Sequence, residues 1–282
     1  MRIRSLFSLL VFGFILCSQS TLIRAYGNKS SNIITIGSYN IENLWDEVPE
    51  NTPNLWKEFK NTLSEKDQYF FPKQLQYRTY SLNNSNWYSP EILRAKIQNV
   101  VDAIVLSGSP DILGLQEIES AGNKSNIWRM KYNDNLSFKQ KLEELGYKYF
   151  IIGMQDPTNP VSVTTAFISK YPIESRPSVI INFPTKSTSD RDIQVIQANF
   201  SGNNLLVFNT HWKSKWGGND ALRIYTAKKL RERIKQERKK DKYVDIVVLG
   251  DFNTAYHERP LLALGATGNK RKMLRTSIKS LY

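Results

Sequence analysis

The chain has 282 residues, a formal net charge of +13 and one cysteine, Cys17. A single cysteine excludes internal disulfides and thiolate metal clusters, and the length is sufficient for one large domain with its own core. The excess of lysine and arginine favours an anionic partner, nucleic acid or an acidic lipid surface, without choosing between the two.

The first 25 residues are typical of a secretory signal. A short basic start is followed by an apolar stretch from Leu6 to Cys17 and then by small residues. The stretch is short for a membrane span. We expect cleavage after Ala25, with Ser20 as the alternative site and an uncleaved anchor as the competing interpretation. Residues 26–282 would then form one exported domain, periplasmic or secreted.

The first half of that domain alternates predicted strands and helices. Residues 33–39 read as a strand, and residues 45–89 as a polar, aromatic excursion. Pro90 opens a helix whose apolar residues follow helical spacing. A strand at residues 111–119 comes next, and then a short helix that Gly146 stops.

The second half is rich in predicted strands, which lie at residues 149–154, 161–169, 178–183, 193–200 and 205–212. A long amphipathic helix is predicted at residues 219–240. Its outer face is either an ordinary solvated surface or a site for polyanions, and it carries Lys228, Lys229, Arg231, Arg233, Lys235, Arg238, Lys239 and Lys240. A strand from Val244 leads into "GDFNT", and residues 255–282 contain no convincing strand.

Four of these strands finish with a polar pair. The pairs are Asn40 and Glu42, Glu117 and Glu119, His211 and Lys213, and Asp251 and Asn253. Residues i and i+2 of a strand share a face, so each pair is predicted to emerge side by side at one rim. Oxygen ligands suit Mg²⁺ or Mn²⁺, and a histidine with a lysine suits a phosphate. Each motif alone is typical of a turn or a packed side chain; their combination indicates phosphoryl chemistry.

The segments "SYNIENL", "DILGLQEIE", "SDRDIQVI", "NTHWKSKWGG" and "VVLGDFN" follow one another in this order. In this the sequence resembles the endonuclease/exonuclease/phosphatase superfamily, which includes proteins of the deoxyribonuclease I and exonuclease III type. The resemblance implies an α/β (α+β) fold. Two mainly antiparallel sheets would lie face to face in a four-layer sandwich, with helices outside and the site at one sheet edge.

The resemblance also implies roles for the motif residues. Glu117 matches the main metal ligand, and Asn40 the amide that helps to hold metal and phosphate. His211 matches the histidine that binds the scissile phosphate or helps to protonate the leaving group. Asp251 and Asn253 match the pair that orients the attacking water. The metal would be Mg²⁺ or Mn²⁺.

Other polar residues near these motifs have weaker counterparts. Arg191, with Asp192, resembles an "RD" element close to the site in some relatives, and Lys213 is a candidate phosphate contact. Arg191 and Lys213 are the predicted substrate-binding residues. Glu42 and Glu119 are expected to be structural or to support the site indirectly.

The chain departs from the family pattern after "GDFN". The family continues with another strand-end aspartate and a C-terminal Asp-His pair, and neither has a match before Tyr282. His257 occupies the wrong position in the sequence to replace that histidine. We therefore expect a domain that is incomplete at its C-terminus, without its closing strands and with impaired activity.

The predicted function is that of an exported, metal-dependent phosphodiesterase of nucleic acid. One alternative is a phosphodiesterase or phosphatase of phospholipids or inositol phosphates with the same fold, which would allow contact with an anionic membrane surface. Another is a catalytically dead remnant that binds polyanions. A monomer is expected, and the sequence indicates no protein partner.

Overall fold

The computed structural model of the protein has two β-sheets packed face to face at its centre. The structure describes residues 10–11, 21–26, 33–44, 90–119, 127–153, 163–183, 191–200, 202–215, 220–255, 257–265 and 275–276. The predicted excursion at residues 45–89 and most of the predicted signal segment lie outside these residues.

The strands are named in chain order. They are β1 (Leu10–Val11), β2 (Thr21–Tyr26), β3 (Ile33–Leu44), β4 (Ile112–Glu119), β5 (Tyr149–Ile152), β6 (Val163–Ser169), β7 (Ile173–Val179), β8 (Ile193–Phe200), β9 (Asn203–His211), β10 (Asp245–Asp251) and β11 (Arg275–Thr276). The expected cleavage point after Ala25 falls within β2.

One sheet has the strand order β2-β3-β4-β6-β5, and the other β11-β1-β10-β9-β8-β7. Both sheets are mixed: the first is mainly antiparallel, as predicted, with three antiparallel pairs of the four described, whereas three of the five described pairs in the second are parallel. In the first, the β3–β4 pair is parallel; in the second, β9, β10, β1 and β11 run parallel to one another. Parallel strands end at the same rim of a sheet, so β3 with β4, and β9 with β10, bring their carboxyl ends together.

Within the described residues, four α-helices cover the outer faces of the two sheets. They are α1 (Pro90–Leu106), α2 (Phe138–Glu144), α3 (Asp220–Lys240) and α4 (Arg259–Leu264). Side chains of α1 and α2 share a core with the five-stranded sheet, and side chains of α3 and α4 pack on the six-stranded sheet. The layers are therefore helices, sheet, sheet, helices. Among the described helices, none is long and apolar enough to cross a bilayer.

Helix α1 shows how the apolar pattern builds these layers. Leu93, Ile97, Val100 and Ile104 recur at helical spacing, and each is at most 3% exposed. Burial of an aliphatic side chain of this kind contributes about 1.5–3 kcal/mol. The stripe therefore fixes the helix against the sheet that carries β3 and β4.

Most of the predicted strands are confirmed, but the one at residues 178–183 is wrong. The chain pairs earlier, in β7, which lies at the edge of its sheet and contains Pro177. An edge strand tolerates a proline and exposed polar residues, so β7 does not show the apolar run of a central strand. The apolar residues that suggested the later strand divide instead, with Ile180 55% exposed and Ile181 buried.

Helix α4 was not anticipated from the sequence. It has six residues, with Pro260 in its first turn and Gly265 in the left-handed conformation at its end (φ +88°). Proline near the start and glycine past the end are ordinary helix boundaries. Leu261 and Leu264 anchor the helix in the core beside α3.

Candidate active site

Four strand ends bring four polar side chains together at one rim. Asn40 ends the regular part of β3, and Glu117 lies near the end of β4, in the five-stranded sheet. His211 and Asp251 end β9 and β10 of the other sheet and are paired in register. Each sheet thus supplies half of the cluster, and the two halves meet where the sheets pack together.

The distances show that these side chains form one constellation. The amide nitrogen of Asn40 donates to Oε1 of Glu117 and to Oδ2 of Asp251, at 3.0 Å in each case. Nε2 of His211 lies 3.5 Å from Oε1 of Glu117 and 3.8 Å from Oδ2 of Asp251. Candidate ligand atoms of Glu117, His211 and Asp251 all lie within 4.8 Å of one another.

Irregular backbone aims Glu117 into the cluster. Its φ angle is +64°, and the β4–β6 register shifts between Gln116 and Ile118. Such a bulge changes the direction of a side chain at a modest cost in backbone energy. Gln116 turns into the space between the sheets, while Glu117 faces His211 and Asp251.

The predicted partners two residues further on do not emerge beside the first four. Glu42 has a φ angle of +55° and is exposed, and its N–H donates to Oδ1 of Asn40 at 2.9 Å. Glu119 is buried within the β4–β6 pair. The i, i+2 rule fails here because the backbone leaves regular strand geometry just where the strands end.

The other two predicted partners follow β9 and β10. Asn253, at φ +46°, donates its backbone N–H to Oδ1 of Asp251 at 2.8 Å and its amide to the Trp212 carbonyl at 3.0 Å. It thereby ties the two strand ends together. The Lys213 carbonyl accepts a hydrogen bond from the buried side chain of Arg223, which belongs to α3.

Burial shifts the protonation of the cluster. It raises the pKa of Glu117 and of Asp251, although hydrogen bonds from Asn40 and the positive charge of Arg191 oppose the shift. Burial, helped by Arg191, holds the pKa of His211 well below its usual value of 6.5. Contact with two carboxylates would favour a charged imidazole, but burial outweighs it, so His211 is neutral at pH 7.

The surroundings of His211 also indicate which ring nitrogen carries the proton. Nδ1 is buried, and no described residue accepts a hydrogen bond from it. A histidine that ligates a metal through Nε2 usually donates Nδ1–H to an acceptor. Here the proton is better placed on Nε2, which faces the oxygens of Glu117 and Asp251.

Two cations lie close to the cluster. Arg191 precedes β8 and donates Nε–H to the Val163 carbonyl at 3.3 Å, and its charge acts on Glu117, His211 and Asp251. Asp192 is turned elsewhere, with its carboxylate accepting the Ile181 N–H. The predicted "RD" pair is therefore split between the site and a structural turn.

Lys96, on α1, is the second cation and was not among the residues predicted from the sequence. Its Nζ donates to the Glu42 carbonyl, and its charge reaches Glu117. Burial lowers the pKa of Lys96 to about 8. A lysine directly before the buried Ile97 of an apolar stripe is the signal that could have identified it.

The donor set fits a hard divalent cation. Glu117 and Asp251 offer carboxylate oxygens, which Mg²⁺ and Mn²⁺ prefer, and their raised pKa values show that their negative charge is poorly solvated. Asn40 presents its NH₂ group to these carboxylates because its oxygen accepts the Glu42 N–H. Its assignment as a metal ligand stays a prediction. Within the described chain, His257 is exposed and outside this group.

Comparison with known proteins gives one family. The model of the Endonuclease/Exonuclease/phosphatase family matches residues 35–282. No curated protein matches the chain in sequence.

Three solved structures illustrate what the chain is similar to. An endonuclease/exonuclease/phosphatase family protein from Bacteroides thetaiotaomicron has 15% identity and a TM-score of 0.46, over 83% of this chain and 69% of that one. Sphingomyelinase C from Streptomyces griseocarneus has 17% identity and a TM-score of 0.46, over 61% of each chain. D. rerio TDP2, complexed with single-strand DNA product, has 19% identity and a TM-score of 0.39, over 60% of this chain and 57% of that one. The match spans less than two thirds of the TDP2 chains.

Proposed function

Because the chain belongs to the endonuclease/exonuclease/phosphatase family, we propose that it is an exported phosphodiesterase that hydrolyses nucleic acid with Mg²⁺ or Mn²⁺. One observation carries the proposal: side-chain polar atoms of Glu117, His211 and Asp251 converge within 4.8 Å at the rim where the two sheets meet. Two poorly solvated carboxylates and a neutral imidazole in one place are a combination that phosphoryl chemistry uses.

Glu117 and Asp251 are the residues that would hold the metal. When bound, a divalent cation supplies a Lewis acid that polarises a phosphoryl oxygen and brings a water within reach of the phosphorus. Asn40 bridges both carboxylates, so it holds them at a fixed separation before the cation binds. The site is preorganised in this respect, which reduces the reorganisation that binding requires.

His211 and Asp251 would act on the substrate from the second sheet. With its proton on Nε2, neutral His211 can donate a hydrogen bond to a phosphoryl oxygen or to the departing oxygen. Asp251 has Oδ1 fixed by the Asn253 N–H, which leaves Oδ2 directed to the centre of the cluster. An attacking water would be oriented by this oxygen. Arg191 adds positive charge where the phosphate would gain negative charge.

The choice of nucleic acid as substrate rests on charge. A net charge of +13 raises the local concentration of a polyanion around the whole molecule. A phospholipid or an inositol phosphate would use the same cluster, so these substrates are the first to examine if nucleic acid is not cleaved. Export is proposed from the basic start and apolar stretch within the first 25 residues.

Plasmid nicking by the purified protein tests the proposal. We expect nicking with Mg²⁺ or Mn²⁺, and its loss on addition of EDTA or on the change Glu117→Gln, which removes the charge but keeps the shape. The matched control is Glu174→Gln, which removes an exposed carboxylate on β7 and is expected to leave the rate unchanged.

A folded protein that binds DNA without metal and cuts none would contradict the proposal and favour a polyanion-binding role. Nicking that survives Glu117→Gln would place the chemistry elsewhere.

A further inference from the structure

A buried polar network links the two sheets directly beneath the cluster. Its central members are Gln116 of β4 and Asn209 of β9, and both side chains are 0% exposed. Nε2 of Gln116 donates to Oδ1 of Asn209 at 2.8 Å, across the space between the sheets. The further hydrogen bonds of these two side chains reach other strands.

Both amides are fully used as donors. Gln116 also donates to the Gly114 carbonyl at 3.1 Å and accepts from the Ser38 hydroxyl at 3.3 Å. Asn209 donates to the carbonyls of Leu115, at 3.0 Å, and Ala166, at 2.9 Å. The network therefore joins β3, β4 and β6 of one sheet to β9 of the other.

The positions of the two amides relate them to the cluster. Gln116 is the residue before Glu117, at the bulge that aims the glutamate. Asn209 precedes His211 by two residues on the same strand, so both side chains point to the opposite sheet. In register, Asn209 pairs with Leu249, two residues before Asp251. One hydrogen bond thus lies close below both halves of the cluster.

The backbone of β4 makes room for this contact. A Cβ atom at Gly114 would lie 3.1 Å from the side chain of Asn209 and 2.3 Å from Cδ1 of Leu249. Only glycine allows Asn209 and Leu249 of the second sheet to approach β4 so closely. The close approach and the hydrogen bonds therefore depend on the same local geometry.

Apolar packing alone does not set the offset between two sheets, because the hydrophobic effect has no direction. Hydrogen bonds do have direction, and a fully satisfied buried network specifies one arrangement. We propose that Gln116 and Asn209 are positioning residues that fix β4 against β9 and thereby hold Glu117 opposite His211 and Asp251. The inference rests on the proposed function in taking that cluster as the hydrolytic site.

A pair of matched variants tests this role. Gln116→Met removes the bond to Asn209 with little change in volume. Thr165→Val removes another side-chain hydrogen bond between the sheets, from the Thr165 hydroxyl to Oε1 of Gln194 at 3.2 Å. Thr165 is the cross-strand neighbour of Gln116 and equally buried, but β6 and β8 supply none of the four cluster residues.

Two readouts separate positioning from stability. The chain contains two histidines, so ¹⁵N-histidine labelling gives a ring signal for His211 at fixed pH that needs neither metal nor activity. Mn²⁺ affinity, measured by electron paramagnetic resonance, reports the carboxylates. We expect Gln116→Met to displace or split the His211 signal and to weaken Mn²⁺ binding by about 10-fold or more, as when a supporting residue of a metal ligand is removed. Thr165→Val is expected to change neither.

Other results have definite meanings. Equal effects of both variants, or an unmoved His211 signal in Gln116→Met, would overturn the inference. If the wild type neither binds Mn²⁺ nor cleaves any phosphodiester while the histidine signals still distinguish the variants, the proposed function fails and the positioning role stands. Should Gln116→Met not fold, the double change Gln116→Met with Asn209→Leu removes both partners, which costs less stability than leaving one unpaired, and is measured in the same way.

Discussion

Glu117 has a side chain that is 19% exposed, and it faces Asp251, at 16% exposed, with Asn40 between them. The fold thus holds two carboxylates close together and largely out of water. Their raised pKa values express the cost of ionising them there. Residues that carry function at the expense of stability are a common feature of active sites.

The change Glu117→Gln is therefore expected to stabilise the metal-free protein while it abolishes hydrolysis. It removes a poorly solvated charge but keeps an acceptor for Asn40, and a gain of about 1 kcal/mol in the free energy of unfolding is the expected size. Thermal unfolding in EDTA measures it. Added Mn²⁺ should raise the Tm of the wild type and not that of the variant, since only a bound ligand stabilises. A lower Tm for the variant in EDTA would contradict this reasoning.

The difference in stability between the wild type and Glu117→Gln depends on pH, because burial raises the pKa of Glu117. The pKa of Glu117 is raised above its ordinary value of 4.5 in the folded state, so the folded protein holds a proton that the unfolded chain releases. The stability from this group is complete below pH 4.5 and is lost as pH rises through the raised pKa. The advantage of Glu117→Gln in EDTA should thus grow above pH 4.5. His211, with its lowered pKa, is common to both proteins and largely cancels in the comparison.

For individual residues, the sequence predicted that Asn40, Glu117, His211 and Asp251 lie close together, because each ends an apolar strand. It could not predict the directions of Glu42, Glu119 and Asn253. Positive φ angles at Glu42, Glu117 and Asn253 redirect the chain, and glutamate, unlike glycine or asparagine, does not indicate such a conformation in a sequence. The hydrogen bond between Gln116 and Asn209 was missed although each amide interrupts an apolar run, which is a readable signal.

Among whole elements, the β9–β10 pair depends most on one residue. Gly250 has a φ angle of +132°, and a Cβ atom there would lie within 1.9 Å of the Thr210 carbonyl oxygen on β9. That distance is impossible, so a side chain at this position would force the two strands apart beside His211 and Asp251. Parallel pairing at this end of the sheet requires glycine.

Gly250→Ala should accordingly lower the free energy of unfolding by at least about 2 kcal/mol and reduce hydrolysis in whatever folded protein remains. Gly108→Ala is the matched control, because Gly108 also has a positive φ angle (+85°) but open space around its Cβ position. Urea unfolding of both variants separates the conformational penalty from the clash. Equal losses would show that β9 yields without cost.

The elements read correctly from the sequence were those with strong periodicity, such as α1 and the central strands β4, β8 and β10. The failures were β7 and α4. An edge strand with one solvated side does not need an apolar run, and a six-residue helix is too short to show a period. Exposure and length, rather than any unusual chemistry, limited the prediction.

For the molecule as a whole, the basic residues of α3 act differently at its two ends. Near the site, Arg223 binds the Lys213 and Ser214 carbonyls. Further along, Arg233 and Lys240 are paired with Glu237. The helix has 21 residues and spans about 30 Å, so its exposed basic end lies at the rim opposite the cluster. A long polyanion could reach both regions, and a small substrate could not.

Replacement of the exposed Lys235, Arg238 and Lys239 by glutamine should weaken binding of long DNA and leave hydrolysis of a small phosphodiester unchanged. For every phosphate that is no longer neutralised by a side chain, the slope of log affinity against log salt is expected to fall by about 0.9. Fluorescence anisotropy with catalytically inactive Glu117→Gln protein measures the slope.

The control for that measurement removes the same charge from the other side of the molecule, by glutamine at the exposed Lys131, Lys139 and Lys148. Equal weakening in both triple variants would assign the binding to overall charge. Weakening confined to the α3 variant would assign it to the helix.

Apart from the two-residue strand β1, the strands of the five-stranded sheet precede all those of the six-stranded sheet along the chain. During synthesis, Asn40 and Glu117 are made first, and at roughly 5–20 residues per second they wait on the order of ten seconds for Asp251. An unfinished chain therefore has no complete cluster until β10 has been made. A gene divided between β6 and β7 would likewise encode two halves that each carry only part of the cluster. Recovery of the proposed hydrolysis on mixing would then report assembly of the two halves.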